Sequence, residues 1–376
     1  DNKELETQRR CDIIASLGSL SVGDTCRREL STRHVAILLL IIDDLPHEEI
    51  WKRWISSSEC DDVRVSFVIH AKFPNAIRSP WVRRHLFPES FRPEWGSIDI
   101  TRAMVAMLHA ALKIGNFSGN GNGDVVASCD RFVYASESCL PIVPLSQFAD
   151  SLYGSGDSSP GKSWLGKLRR TPDNGYASQK QFGAIHPHVP KKFVWKSDQW
   201  SMLTRKHAEL VASVDKKLGE VETLMNGQYS CGGGQKRSRG GWHGRHRCSV
   251  FYAYFDRMTA SDEMYMATAL AYMYGSCGNL DGEDNRKSDT EDNVILQSFG
   301  PDVVRSSITY ADWTESARSP ATFSTIKELE DAVQKGRNQE CLLARKFKGG
   351  QIDVAGWEAT VIATHHKGNC KVHSST

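Results

Sequence analysis

The chain alternates between short continuous apolar runs and stretches with helical spacing. Val35-Ala-Ile-Leu-Leu-Leu-Ile-Ile42 is apolar throughout, preceded by Arg33-His34 and followed by Asp43-Asp44. It is too short to span a bilayer as a helix, which needs about 20 residues, and it reads as a strand buried on both faces of a parallel sheet. Pro46 follows, and then His47-Glu-Glu-Ile-Trp-Lys-Arg-Trp54, where Ile50, Trp51 and Trp54 share one helical face. Val63-Arg-Val-Ser-Phe-Val-Ile-His70 is the next strand. This β–α–β opening predicts a parallel pair with a right-handed crossover. Arg131–Ala135 is a third buried strand, ending in Ser136-Glu137-Ser138.

Helices are predicted from about Ile98 to Lys113 behind the capping residue Ser97, over Leu145–Leu152, and from about Thr204 to Leu218. Asp262–Tyr274 has apolar spacing at Met264, Ala267, Leu270, Ala271 and Tyr274. Thr325–Lys335 is capped by Thr325 and followed by Gly336, and Phe193–Trp195 reads as a short strand. Residues 154–180, rich in Gly, Ser, Pro and basic groups, and the acidic stretch Asn279–Asp292 read as loops. The Gly- and Arg-rich region 227–248 reads as an insertion.

The 376 residues are long enough for one large domain or two. The net charge of +2 argues against a dedicated nucleic-acid binder, because Lys and Arg are balanced by Asp and Glu. Ten cysteines without a CxxC pair fit either a few disulfides in the secretory pathway or buried thiols. The chain begins at Asp1, so an N-terminal anchor preceding it is not excluded.

Parallel α/β sheets bind ligands beyond the carboxyl ends of their strands. Here those ends read Asp43-Asp44, His70-Ala-Lys72 and Ser136-Glu-Ser138, polar in each case after an apolar run. No Gly-x-Gly-x-x-Gly follows the first strand, and no Asp-x-Asp occurs anywhere. If a diphosphate leaves here, a cationic side chain rather than an Asp-x-Asp metal must neutralise it. Arg345-Lys346 is the candidate pair; on its own it also reads as a solvated charge pair on a strand edge. Glu263 suits a general base on a rigid element, and with Asp262 it equally suits the N-terminus of a helix. Cys231, His243, His246 and Cys248 have the residue types of a zinc site but no strong spacing, and a Cys231–Cys248 disulfide is the alternative. His186-Pro-His188 and His365-His366 read as surface residues.

An ordered set of short motifs resembles the core-2/I-branching glycosyltransferases, in particular the plant-type branch of β-1,6-N-acetylglucosaminyltransferase-like enzymes. The set comprises Glu94-Trp-Gly-Ser97, Ser136-Glu-Ser-Cys-Leu-Pro141, Lys196-Ser-Asp-Gln-Trp200, Ser261-Asp-Glu263, Thr309-Tyr-Ala-Asp-Trp313, Ser319-Pro-Ala-Thr-Phe323 and Ala344-Arg-Lys-Phe347. It runs together with Leu39–Trp51, similar to the family's first strand and following helix, and Val68–Lys72, similar to its second strand, so the resemblance covers roughly Val35 to Phe347. The family's Lys-Gly-Ser-Gln-Trp is altered here to Lys196-Ser197-Asp198-Gln199-Trp200.

The resemblance implies a GT-A-like fold, a Rossmann-type α/β sandwich with a mostly parallel central sheet. It divides the chain into a polar lead-in over 1–33, a catalytic domain over 34–350 with the insertion 227–248, and a tail over 351–376. It implies inverting transfer of N-acetylglucosamine or a related sugar from a UDP-sugar to a hydroxyl of a glycan or glycoprotein, with no metal and no cofactor. Xylosyl or glucuronosyl transfer and a catalytically silent binding protein are the alternatives. By residue, Glu263 matches the base and Lys346 the lysine on the donor's diphosphate. Arg345 and Arg305 are candidates for its partner arginine. Donor contacts are expected from Asp43, His70, Lys72, Trp95 and Ser97, and acceptor contacts from Glu137, Ser138, Gln199 and Trp200. The resemblance also implies a Golgi membrane protein whose luminal catalytic part is this chain.

Overall fold

A computed structural model describes residues 33–57, 62–115, 128–154, 161–170, 189, 191–214, 251–256, 258, 260–274, 291–314 and 319–363. The strands are β1 (Arg33–Ile41), β2 (Val63–Ala71), β3 (Arg131–Ser136), β4 (Leu140–Pro141), β5 (Ser163–Trp164), β6 (Arg169–Arg170), β7 (Trp195–Lys196), β8 (Met202–Thr204), β9 (Val303–Val304), β10 (Thr309–Ala311) and β11 (Leu343–Arg345). The central sheet has the order β2-β1-β3-β8-β5-β9. It is parallel across β2, β1 and β3 and antiparallel on both sides of β8. A smaller sheet, β10-β11-β4, stands beside it. This mixed α/β architecture is that of a GT-A-like fold.

The continuous apolar run of β1 is required by its position. Successive side chains of a strand point to opposite faces. Ala36, Leu38 and Leu40 accordingly enter one core, and Val35, Ile37, Leu39 and Ile41 the other. Met104, Met107 and Leu108 of the helix Ile98–Leu112 cover the first face, together with the helix Tyr265–Tyr274. On the second face lie Ile50, Trp51 and Trp54 of the helix Glu48–Ser56, and Leu329 and Val333 of the helix Ile326–Asn338. The helix Val354–Val361 joins the same core through Trp357, whose indole Nε1 donates to the Pro141 carbonyl at 2.8 Å.

Several elements differ from the sequence-based expectations. Within 154–180, β5 lies inside the central sheet between β8 and β9, and β6 pairs with β7. The expected helix over Asp262–Tyr274 begins only at Tyr265; Ser261–Glu263 form a 3₁₀ turn behind Ala260, which has φ 56°. Asp292, expected in a loop, lies in the helix Glu291–Phe299. β11, which carries Arg345, is the middle strand of its sheet and not an edge.

Cys231, His243, His246 and Cys248 lie outside the described residues, as do His186, His188, His365 and His366. Among the described residues Cys129, Cys139 and Cys341 are buried thiols without a disulfide, and no helix is long and apolar enough to cross a membrane.

Gly336 does not end the helix before it. It lies inside Ile326–Asn338, where a Cβ would stand 2.4 Å from Ile142 Cδ1 and 3.2 Å from Tyr310 Cβ. Replacing Gly by Ala in a helix interior normally stabilises by about 1 kcal/mol. Here the fully buried Ile142 cannot yield without repacking, and overpacking costs about 1–3 kcal/mol. Gly336→Ala is expected to lower the urea midpoint; a raised midpoint would contradict this packing.

Candidate active site

The site is built at the carboxyl edge of β1, β2 and β3. In the parallel register Leu40 is level with both His70 and Ser136, so the segments that follow these strands emerge together. The Glu137 amide donates to the Leu40 carbonyl at 3.2 Å and the Lys72 amide to the Ile41 carbonyl at 3.0 Å, which extends the sheet order beyond the strands.

One half of the site joins the 136–141 segment to the end of β11. The Cys139 amide donates to the Ser136 carbonyl at 3.0 Å, and the Ser136 and Ser138 hydroxyls are 3.0 Å apart, so residues 136–139 form a tight turn. β4 then pairs antiparallel with β11, and the Phe347 amide donates to the Ser138 carbonyl at 2.9 Å. This fixes Arg345 and Lys346 beside Glu137. Burial raises the Glu137 pKa above the usual carboxylate range, opposed by the charges of Arg345 and Lys346 and reinforced by that of Asp43. The Arg345 guanidinium lies 4.8 Å from the centre of the Trp200 ring, a cation–π arrangement. Arg345 Nε and Trp200 Nε1 are buried donors without a hydrogen-bond partner. Lys346 is exposed.

The other half is the 3₁₀ turn that carries Glu263. The Ala260 amide donates to the Gly96 carbonyl at 3.3 Å, and the Ser261 and Thr101 hydroxyls are 2.7 Å apart. The Trp95–Ser97 segment and the helix behind it therefore hold the turn. Glu263 Oε2 and Lys196 Nζ are 2.5 Å apart, with the lysine side chain 9% exposed and the carboxylate 30%. The backbone repeats the link, since the Ser197 amide donates to the Glu263 carbonyl at 2.8 Å. Beside it, Asp262 is 8% exposed and its Oδ1 has no hydrogen-bond partner. Burial first, and the neighbouring Glu263 charge second, push the Asp262 carboxyl up to about 7.

The altered motif Lys196–Trp200 connects the two halves. Lys196 holds Glu263, and four residues on Trp200 lies under Arg345. Four residues of extended chain reach at most about 14 Å. Asp198, at the position of the motif's usual serine, anchors this connector: its amide donates to the Gly166 carbonyl at 2.7 Å, and its Oδ2 accepts from the Ser307 hydroxyl at 2.7 Å.

The remaining expected residues are placed as follows. Lys72 Nζ lies 3.0 Å from Glu94 Oε1, next to Trp95, which is 80% exposed. The Ser97 hydroxyl accepts from the Glu94 amide at 3.1 Å. His70 is buried, its Nε2 accepts from the Phe91 amide at 3.0 Å, and burial lowers its pKa to about 4, so it is a neutral ring at pH 7. Asp43 is exposed, its Oδ1 accepting from the Asp44 amide at 2.7 Å. Gln199 is half-buried within the connector. Arg305 is exposed beyond β9, the edge strand opposite β2. Among the described residues no group of three or more His, Cys, Asp or Glu converges as metal ligands do.

Lys196 is the site residue that the sequence reading did not single out. It opens a quoted motif, but its partner Glu263 lies far along the chain, and only the fold joins them.

A carboxylate fixed by a buried cation, joined by a short connector to a separate pair of basic residues at the carboxyl edge of a parallel sheet, has the parts for group transfer from an anionic leaving group. Comparison with known proteins agrees. The rice (Oryza sativa subsp. japonica) protein "Glycosyltransferase BC10" is 24% identical over 322 residues, which cover 81% of this chain and 68% of the rice protein. The model of the Core-2/I-Branching enzyme family matches residues 35–334, a span that includes Glu137, Lys196, Trp200 and Glu263 and stops short of Arg345-Lys346. With most of its length matched, the chain belongs to the Core-2/I-Branching enzyme family.

Proposed function

We propose that the chain is an inverting glycosyltransferase that moves N-acetylglucosamine, or a related sugar, from a UDP-sugar to a glycan hydroxyl without a metal. Family membership makes it a glycosyltransferase with a nucleotide-sugar donor and a glycan acceptor. The finer reading rests on one observation above the others. The Lys196–Glu263 pair and the Arg345–Trp200 stack sit at the two ends of one short connector.

In this mechanism the acceptor hydroxyl attacks the anomeric carbon from the face opposite the diphosphate. The new glycosidic C–O bond forms as the bond from the anomeric carbon to the phosphate oxygen breaks. Glu263 takes the hydroxyl proton. Lys196 occupies Oε2 and orients the carboxylate, leaving Oε1 to the acceptor. Lys346 meets the departing UDP as a point charge, and Arg345, oriented by Trp200, supplies further donors. The chain's own cations take the place that an Asp-x-Asp metal would have.

UDP release tests this reading with a panel of UDP-sugars, with and without glycan acceptors and in excess chelator. Acceptor-dependent release that survives the chelator is expected. Complete loss in chelator, restored only by manganese, would refute the metal-independent mechanism.

A further inference from the structure

Asp262 does not serve as the helix cap that its sequence position suggests. It sits in the 3₁₀ turn Ser261–Glu263, ahead of the helix that begins only at Tyr265. It is 8% exposed, with Oδ1 lacking a hydrogen-bond partner. A buried carboxylate in that state is costly, whereas the neutral acid is far cheaper to bury. Its chain neighbour Glu263 already holds the Lys196 ammonium at 2.5 Å. When two carboxyls share such a place, one of them keeps its proton.

We propose that Asp262 is a positioning residue for Glu263: while neutral it leaves Lys196 on the base, and when it ionises it draws Lys196 away and turnover falls. The inference rests on Glu263 being the base.

The charges around the turn fit this division. Burial and the Glu263 charge favour the proton on Asp262, and Lys196 opposes it. On the helix Ile98–Leu112, which packs against the turn, Asp99 and Arg102 pair with each other at 2.7 Å. The helix Tyr265–Tyr274 that follows brings no Asp, Glu, Lys, Arg or His.

The sign of the pH effect follows from linkage. A carboxyl raised from 3.8 to about 7 binds its proton more tightly in the folded chain. Its contribution to stability is complete below the unfolded value and is lost as pH rises through the folded value. Asn mimics the neutral acid and does not titrate.

The test compares wild type with Asp262→Asn, using the whole chain, in thermal stability and in kcat against pH. The stability of Asp262→Asn relative to wild type is expected to rise between about pH 4 and pH 7 and then level off. Wild-type kcat is expected to fall above about pH 7, by close to tenfold per pH unit for a single ionisation, and Asp262→Asn is expected to lose that fall. A purely structural role would move the melting temperature without moving the alkaline limb. A pH-independent stability difference, or an unchanged alkaline limb in Asp262→Asn, overturns the inference and leaves the base reading intact. Near-normal turnover by a folded Glu263→Gln protein overturns the base reading itself.

Discussion

Glu263→Gln is expected to lower turnover by about 10²-fold or more, the scale of a lost general base, while donor affinity stays near that of the wild type. The substitution preserves shape and removes the group that takes the acceptor proton. The fold is expected to survive despite the low exposure of Lys196, for a reason specific to this turn. Removing one partner of a buried ion pair usually costs about 3–5 kcal/mol, because an uncompensated charge is left behind. Here Asp262, the chain neighbour of Glu263, already feels the Lys196 charge and can ionise in place of Glu263. Steady-state kinetics and a urea melt of Glu263→Gln check both parts. Turnover within a few-fold of wild type would move the base elsewhere, with Glu137 the next candidate.

Lys346→Ala is expected to weaken donor binding by about 1.5–3 kcal/mol, the worth of a charge-assisted contact to a diphosphate, or roughly tenfold to a hundredfold. Lys346 is exposed, so stability is expected to change little. Its backbone is held independently of the side chain, because the Phe323 amide donates to the Lys346 carbonyl at 2.8 Å and the Phe347 amide to the Ser138 carbonyl at 2.9 Å. Titration of UDP into the folded variant measures the effect. Unchanged UDP affinity together with unchanged turnover would remove Lys346 from the mechanism.

What the sequence made legible follows from the physics of each element. β1 declared itself because a strand covered on both faces must be apolar at every position, and the helix Glu48–Ser56 because Ile50, Trp51 and Trp54 repeat at helical spacing. The two- and three-residue strands β4, β5 and β8 to β11 carry no period to detect. β5 was masked further by the Gly- and Ser-rich residues around it. Asp262 and Glu263, in the 3₁₀ turn, read as a helix start because acidic residues there are the ordinary pattern. The left-handed Ala260 that delays the helix gives no sign in composition.

The site divides in the same way. Strand ends and ordered motifs pointed to Glu137, Glu263, Arg345 and Lys346. The fold brings Glu137 beside Arg345 and Lys346, and it sets Glu263 at the far end of the connector from them. The Lys196–Glu263 pair, the Arg345–Trp200 stack and the buried state of Asp262 are tertiary facts. Each joins residues distant in sequence or depends on what packs over them.

The most direct measurement places Glu263→Gln and Lys346→Ala side by side, with UDP affinity and acceptor-dependent UDP release recorded on the same preparations. The expected result is a split: Glu263→Gln binds UDP like wild type and scarcely turns over, and Lys346→Ala binds UDP at least about tenfold more weakly. The contrary result is the reverse pattern, with UDP binding lost on substitution of Glu263 and unaffected by substitution of Lys346.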